Sequence, residues 1–506
     1  MSMSYKQRLS DLDREGERSV TAQIADAFAA AIEAGELKPG EQLPPTRELA
    51  ELAGVNHLTA ARAYRRLAEM GLVTGRVGRG TFVRQTAAEA TRALAEAEDG
   101  TAWQLYALPD EVEAHSDRVI GEMFRQAHRE DLIPLMVGYP SEQLFPAERF
   151  GQIIGEVISK HGARMHQYGD VEGVSELRHQ LAVLGREQGF ATSADEIVTT
   201  TGAAQALDLT ARALLRPGDA AAVESPTFPG SLAAIRATGA SLLPVPMDDD
   251  GLDVDALEQL LRRRQIKLLT LQPRLHNPTG RDLAPERRRR LLELARREGF
   301  FIVEDGVYAD LRFEGEGQPA LRGDDPDHVI YLSSFSKTTT PGLRVGWVVA
   351  RGPVLERIVA EKRGAMLNTP LVSELALARF LAEGNYPGQI ERAIAFFRER
   401  FEVLHAAVAE HLSGVATVSR PLGGGHLWVS LSERIDERDL YEEAVRQGVS
   451  FLPGAAMMAE RPRRAHARLS FGYLEPDELR EGVKRLATAI RAVGRTDRQR
   501  EAMPVA

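Results

Sequence analysis

From about residue 130 the chain alternates short runs rich in β-branched and apolar residues with longer helical stretches, and no other feature narrows its fold as much. The runs include EIVTTTG, AAAVESP, IKLLTLQP, GFFIVED, HVIYLSS and GWVVA. Strands that alternate with helices build βα units around a mostly parallel sheet, which defines an α/β architecture. After roughly residue 390 a helix followed by GGHLWVSL, VSFLPG and ARLSFGY predicts a smaller α+β lobe. In such sheets ligands bind beyond the C-terminal ends of the central strands, here expected close to the second lobe.

The N-terminal part has a different period. Val20, Ile24, Ala27, Phe28 and Ala31 recur at helical spacing, and Gly35 with Pro39-Gly40 supplies the stop. Thr46 is expected to cap a short helix with Leu49, Ala50 and Ala53 inward, closed at Gly54. Asn56 then caps a third helix with Ala60, Tyr64, Leu67 and Ala68 inward, which sets Thr59, Arg62 and Arg66 on its outer face. Two short helices joined by a Gly-containing turn make a helix-turn-helix. Leu72-Val73 and Thr81-Phe82-Val83 read as strands around a hairpin, Arg76 to Gly80, that projects Arg79 as a wing.

The whole chain is acidic, with net charge −10, yet residues 46–84 carry seven basic against three acidic side chains. A solvated helix face satisfies that charge, and so does a phosphate backbone. The shape suits DNA: the third helix fits the major groove, and the wing brings Arg79 to the minor groove or phosphates. Residues 85–115, rich in Ala and Glu, read as a semi-rigid tether.

At 506 residues the chain has room for more than one core. No apolar run approaches the roughly 18 residues of a membrane span, and the first residues are of mixed charge, so a cytoplasmic protein without membrane contact is expected. The absence of cysteine removes thiolate zinc sites and cysteine nucleophiles, and no metal site is expected.

The chemistry gathers in SSFSKTTTPGLRVGW, residues 333–347, which places Ser334, Lys337 and Arg344 in one turn-rich stretch after a strand. Burial there would depress the lysine pKa and free a neutral amine, as a Schiff-base lysine requires. Ser334 and Arg344 suit a phosphate monoester, and Thr201 to Ala204, opening a helix, offers backbone N–H groups at the positive end of its dipole. Asp305, ending Phe301 to Glu304, is either a strand-end turn former or the carboxylate partner of a pyridinium nitrogen.

Two resemblances organise these motifs. Across residues 10–84, ELKPGEQLPPTRELAELAGV, NHLTAARAYRRLAEMGLV and GRGTFV resemble the winged helix-turn-helix domain of the GntR regulator family. That implies DNA-contacting roles for Arg47, Thr59, Arg62 and Arg79; Asn56 and His57 depart from the usual serine and arginine at the turn. Residues 130–495 resemble the fold-type I aminotransferases, which use pyridoxal phosphate. By that resemblance Lys337 forms the internal aldimine, Asp305 binds the ring nitrogen, and Asn277 and Tyr308 bind the ring hydroxyl oxygen. Phe228 stacks on the ring, while Ala203, Ala204, Ser334 and Arg344 hold the phosphate, reached also by Tyr168 of a neighbouring subunit. Arg468 grips a substrate or effector carboxylate.

A GntR-type reader tethered to an aminotransferase-like body (116–500, with lobes at about 160–385 and 390–500) resembles the MocR subfamily of regulators. This implies a head-to-tail homodimer that binds double-stranded DNA and senses pyridoxal phosphate or an amino compound by aldimine exchange at Lys337. The alternative is a pyridoxal-phosphate-dependent aminotransferase with an accessory DNA-binding domain.

Overall fold

The structure, a computed structural model, describes residues 5–10, 12–13, 19–38, 41–70, 72–76, 80–83, 121, 129, 131–433 and 435–501. Its contacts divide the chain into two units, Met1–Val112 and Glu113–Ala506.

In the first unit the helices are α1 (Tyr5–Ser10), α2 (Val20–Glu33), α3 (Thr46–Leu52) and α4 (His57–Glu69), followed by strands β1 (Val73–Arg76) and β2 (Gly80–Val83). Ile24, Phe28 and Ala31 of α2 are fully buried against Leu49, Ala60 and Leu67, so the apolar period marks the core face. Asn56 caps α4 as expected, its Oδ1 accepting from the Thr59 N–H at 2.8 Å. The expected Thr46 cap does not form. Pro45, extended at φ −53°, starts α3 and makes Thr46 its first helical residue, because proline already holds the entry geometry. The first strand also runs further than expected: Thr74 pairs with Phe82 and Arg76 with Gly80, so Arg76 lies in the ladder and not in the hairpin loop. α1 has no counterpart in the sequence reading; it seats Leu9 in the core and Tyr5 against Phe28, ring centroids 5.4 Å apart.

The second unit runs β3 (Ile133–Pro134), α5 (Ala147–His161), α6 (Ser175–Glu187), β4 (Ile197–Thr200), α7 (Ala203–Leu214), β5 (Ala220–Ser225), α8 (Pro229–Arg236), β6 (Ser241–Asp248), β7 (Gly251–Leu252), α9 (Val254–Leu261) and β8 (Leu268–Leu271). It continues through α10 (Pro285–Glu298), β9 (Phe301–Asp305), β10 (Val329–Ser334), β11 (Gly346–Val349), α11 (Pro353–Ala365) and α12 (Leu371–Ala382). The last part comprises α13 (Asn385–His411), β12 (Ala416–Val418), β13 (His426–Leu431), α14 (Glu437–Arg446), β14 (Val449–Ser450), β15 (Leu452–Pro453), β16 (His466–Ser470) and α15 (Pro476–Glu501).

Eight strands form one sheet in the order β4-β11-β10-β9-β8-β5-β6-β7. Its centre, from β10 through β9, β8 and β5 to β6, is parallel, while β11 runs antiparallel to both β10 and β4. Every residue of β5, β8 and β10 is buried, as strands covered on both faces must be, and this is why they read as unbroken apolar runs. β6 escaped the sequence reading because it sits near the sheet edge, carries Pro244 and Pro246, and is half exposed. The second lobe is an antiparallel sheet, β12-β13-β16-β15, whose Leu427, Val429 and Leu469 share a core with Leu404 of α13 and Val483 of α15. β3 pairs with β14, so the chain near residue 133 belongs to this lobe as well. Among the described residues no helix is long and apolar enough to cross a membrane, and no cluster of side chains suits a metal ion.

Candidate functional site

The parallel strands β5, β8, β9 and β10 end on the same side, and the residues at or just after their ends carry polar groups that an apolar run would not otherwise contain. Asp305 closes β9, where its Oδ1 accepts from the Val307 N–H at 3.0 Å and its Oδ2 from the Gln272 amide at 2.7 Å. Burial pushes its carboxyl up to about 6; those two hydrogen bonds and Lys337 pull the other way. Gln272, directly after β8, also accepts from the Asn277 N–H at 2.8 Å. One amide therefore ties the Asp305 carboxylate to the Asn277 turn.

Lys337 follows β10 and donates to the Gly138 carbonyl at 2.6 Å. Burial lowers its pKa to about 8, Arg468 and Arg344 lower it further, and Asp305 opposes them. At neutral pH about a tenth of the amine is then uncharged, against well under a thousandth for an ordinary lysine. Arg468, on β16 of the second lobe, is buried; it donates to the Met136 carbonyl at 2.9 Å and to Asn277 Oδ1 at 3.4 Å. Among the described residues no carboxylate pairs with it, and its Nε has no hydrogen-bond partner. A Cβ on Gly138 would lie 3.2 Å from this guanidinium and crowd it. A buried guanidinium without a carboxylate partner among the described residues, set next to a partly neutral amine, has the chemistry to pair with an anion.

Gly202, at φ 107°, precedes α7 and offers no side-chain cap, leaving the N–H groups at Ala203 and Ala204 open. Arg344 donates to the Thr201 carbonyl at 2.7 Å, and a Cβ on Gly202 would come within 3.1 Å of its guanidinium. Ser334 ends β10, its hydroxyl 2.8 Å from that of Ser336. An uncapped helix start and an arginine with no carboxylate partner among the described residues form a cradle for an anion of phosphate size. Phe228, half-buried before α8, packs so closely on Gly230 that a Cβ there would meet its ring at 2.3 Å.

Tyr308 is buried, which raises its phenol pKa, and its hydroxyl lies 2.9 Å from His426 Nε2. The structure thus brings Asn277, Asp305, Tyr308, Lys337 and Arg468 together. Tyr168 is not brought in: it is 79% exposed in the single chain. On the first unit, Arg47 and Arg62 are exposed on α3 and α4, and Thr59 Oγ1 is hydrogen-bonded to Asn56 Oδ1 at 3.0 Å. Arg79 and the tether 85–115 lie outside the described residues. Sequence reasoning missed Gly138, Gln272 and His426. Each carried a faint signal: a Gly-Tyr-Pro turn, a polar residue closing an apolar strand, and a histidine opening one after three glycines.

Comparison with known proteins agrees with this geometry. The aminotransferase class I and II family matches residues 140–486, and the gntR family of bacterial regulatory proteins matches residues 20–83. Aromatic-amino-acid aminotransferase 1 of Thermococcus litoralis is 36% identical over 74% of this chain and 91% of its own. Relatives that match nearly the whole chain include the probable rhizopine catabolism regulatory protein MocR of Rhizobium meliloti, 28% identical over 95% of this chain and 96% of its own. Among solved structures, the α-aminoadipate aminotransferase LysN of Thermus thermophilus is 30% identical, with a TM-score of 0.72 over 78% of this chain and all of its own. The chain belongs to the aminotransferase class I and II family and carries a gntR-family domain at its N-terminus. It is a GntR-type DNA-binding regulator fused to an aminotransferase domain, as in the MocR-type regulators. The cofactor that this fold implies is pyridoxal phosphate, and the uncapped start of α7, the cradle at Arg344 and the buried carboxylate of Asp305 fit its phosphate and ring nitrogen.

Proposed function

We propose that this chain is a regulator of transcription, acting in the cytoplasm, that senses pyridoxal phosphate itself or an amino compound through displacement of Lys337. When bound, the cofactor supplies an electrophilic carbon for an amine and a ring that takes up charge. Lys337 provides the amine that is displaced, with Asp305 at the ring nitrogen and Asn277 and Tyr308 at the ring hydroxyl oxygen. Phe228 covers the ring face; Ala203, Ala204, Ser334 and Arg344 hold the phosphate. In a head-to-tail homodimer Tyr168 reaches the phosphate of the other subunit. Arg47, Thr59, Arg62 and Arg79 contact DNA from a reader spanning about 10–84, tethered by 85–115 to a body at 116–500.

One observation carries the sensing role: Arg468, buried without a carboxylate partner, stands beside Lys337 in a chain whose other domain reads DNA. An effector carboxylate would satisfy the guanidinium and draw the second lobe, which bears it, toward the large one. A shift of that kind biases the DNA reader only if effector affinity differs between two arrangements of the lobes.

The test is the visible absorption of the purified full-length protein, titrated with amino acids, amines and keto acids. A cofactor band that shifts with one compound and stays shifted is the expected result. A band that bleaches and returns with a keto acid would favour the aminotransferase reading. No band at all, even with added pyridoxal phosphate, would overturn the assignment of Lys337.

A further inference from the structure

His426 opens β13 and is buried, with both ring nitrogens in hydrogen-bond range: Nε2 is 2.9 Å from the Tyr308 hydroxyl and Nδ1 is 3.0 Å from Ser470 Oγ. Tyr308 has one proton, and its direction depends on which nitrogen of His426 carries a hydrogen. Ser470 offers one answer. Its hydroxyl has two acceptors in reach, His426 Nδ1 at 3.0 Å and the Met136 carbonyl at 3.5 Å, and the carbonyl already accepts from Arg468 at 2.9 Å. The 3.0 Å contact admits either direction; when Ser470 donates across it, Nδ1 is the bare nitrogen and Nε2 carries the hydrogen.

A doubly protonated ring is excluded by its surroundings. Burial holds the imidazole pKa well below its ordinary value, and Arg468 of β16 and Lys337 after β10 press it down further. The remaining neighbours are Tyr308, whose own pKa is raised by burial and lowered in part by Arg468, and Asp305, which acts on Tyr308 and Lys337.

Resting on the reading that Tyr308 faces the ring hydroxyl oxygen, we propose that His426 is a positioning residue: Ser470 donates to Nδ1, Nε2–H donates to the Tyr308 oxygen, and the Tyr308 proton is left for the cofactor. A phenol that accepts a hydrogen bond is a stronger donor in its turn. With the cofactor bound, donation from Tyr308 to the ring oxygen would draw off negative charge there and favour loss of a proton from the bound cofactor. His426 therefore lowers the pH at which the bound cofactor changes colour.

The experiment is a pH titration of the visible band in full-length protein loaded with pyridoxal phosphate. Tyr308→Phe removes the donor, and its midpoint rises. His426→Phe keeps the edge-on ring contact with Tyr308, and its midpoint rises by about half a unit to one unit. His426→Gln, which can still place an N–H at Tyr308, titrates near the unaltered protein. Ser470→Ala gives a smaller rise and serves if the His426 variants do not fold. A midpoint that falls in His426→Phe or Ser470→Ala means that Tyr308 had been donating to His426, and it overturns the proposal. So does an unmoved midpoint in both while Tyr308→Phe shifts. If Tyr308→Phe itself leaves the midpoint in place, Tyr308 does not face the ring oxygen, and the reading beneath the proposal fails with it.

Discussion

On α3 and α4 of the reader, Arg47 and Arg62 stand in solvent, and among the described residues no carboxylate pairs with either. In the body, Asn277, Asp305, Tyr308 and Arg468 are each 5% exposed or less, and every one is fixed by a hydrogen bond to another element or turn. The reader needs free cations to meet phosphates; the body needs cations and carboxylates out of water, where burial moves their proton affinities. The difference predicts that DNA contact is tuned by salt, and effector contact by pH and by single buried atoms.

The sharpest way to break this contrast is Arg468→Ala. Binding of a carboxylate-bearing effector, followed by the visible band, should weaken about 100- to 1,000-fold, the cost of truncating a buried charge partner. A loss under tenfold would place the carboxylate elsewhere. Arg62→Ala should cost about 1–3 kcal/mol of DNA affinity if it meets a base edge. If it meets only phosphate, the salt slope falls by about one with little change in sequence preference. Either result keeps the reader electrostatic, whereas an unchanged affinity and slope would remove Arg62 from the interface.

Acid should slow cofactor capture by cofactor-free protein. With Lys337 at about 8, the uncharged amine falls roughly tenfold per pH unit below that value, and the capture rate should follow it and level off above pH 8. A rate still climbing tenfold per unit at pH 9 would mean an ordinary lysine. The smallest expected effect is in the reader: Asn56→Ala removes the cap on the Thr59 N–H and should cost about 1 kcal/mol of stability, read by urea unfolding of the first transition.

Much of this was legible because both regions depend on local patterns. The strands β4, β5, β8, β9, β10 and β11 are buried apolar runs, and Asp305, Lys337 and Arg344 lie in or next to them, so run and residue were read together. Gln272 and His426 could not be read that way. Gln272 meets Asp305 across 33 residues and His426 meets Tyr308 across 118, contacts that only the closed sheet and the second lobe create. Thr46 misled for a local reason: Pro45 takes the N-cap position, and Thr46 becomes the first residue inside the helix. α1 lacks enough apolar residues to show a period, and its place is fixed by Tyr5 and Leu9 packing on helices further along.

If the proposed regulator reading holds, occupancy of the body at Lys337 changes what the reader does. The most direct measurement is DNA affinity, on the region upstream of the protein's own gene, for the unaltered chain and Lys337→Ala, each titrated with pyridoxal phosphate and with a panel of amino acids and amines. One of these compounds should change the affinity or footprint of the unaltered chain and leave Lys337→Ala unresponsive. A response of equal size in both proteins would contradict it.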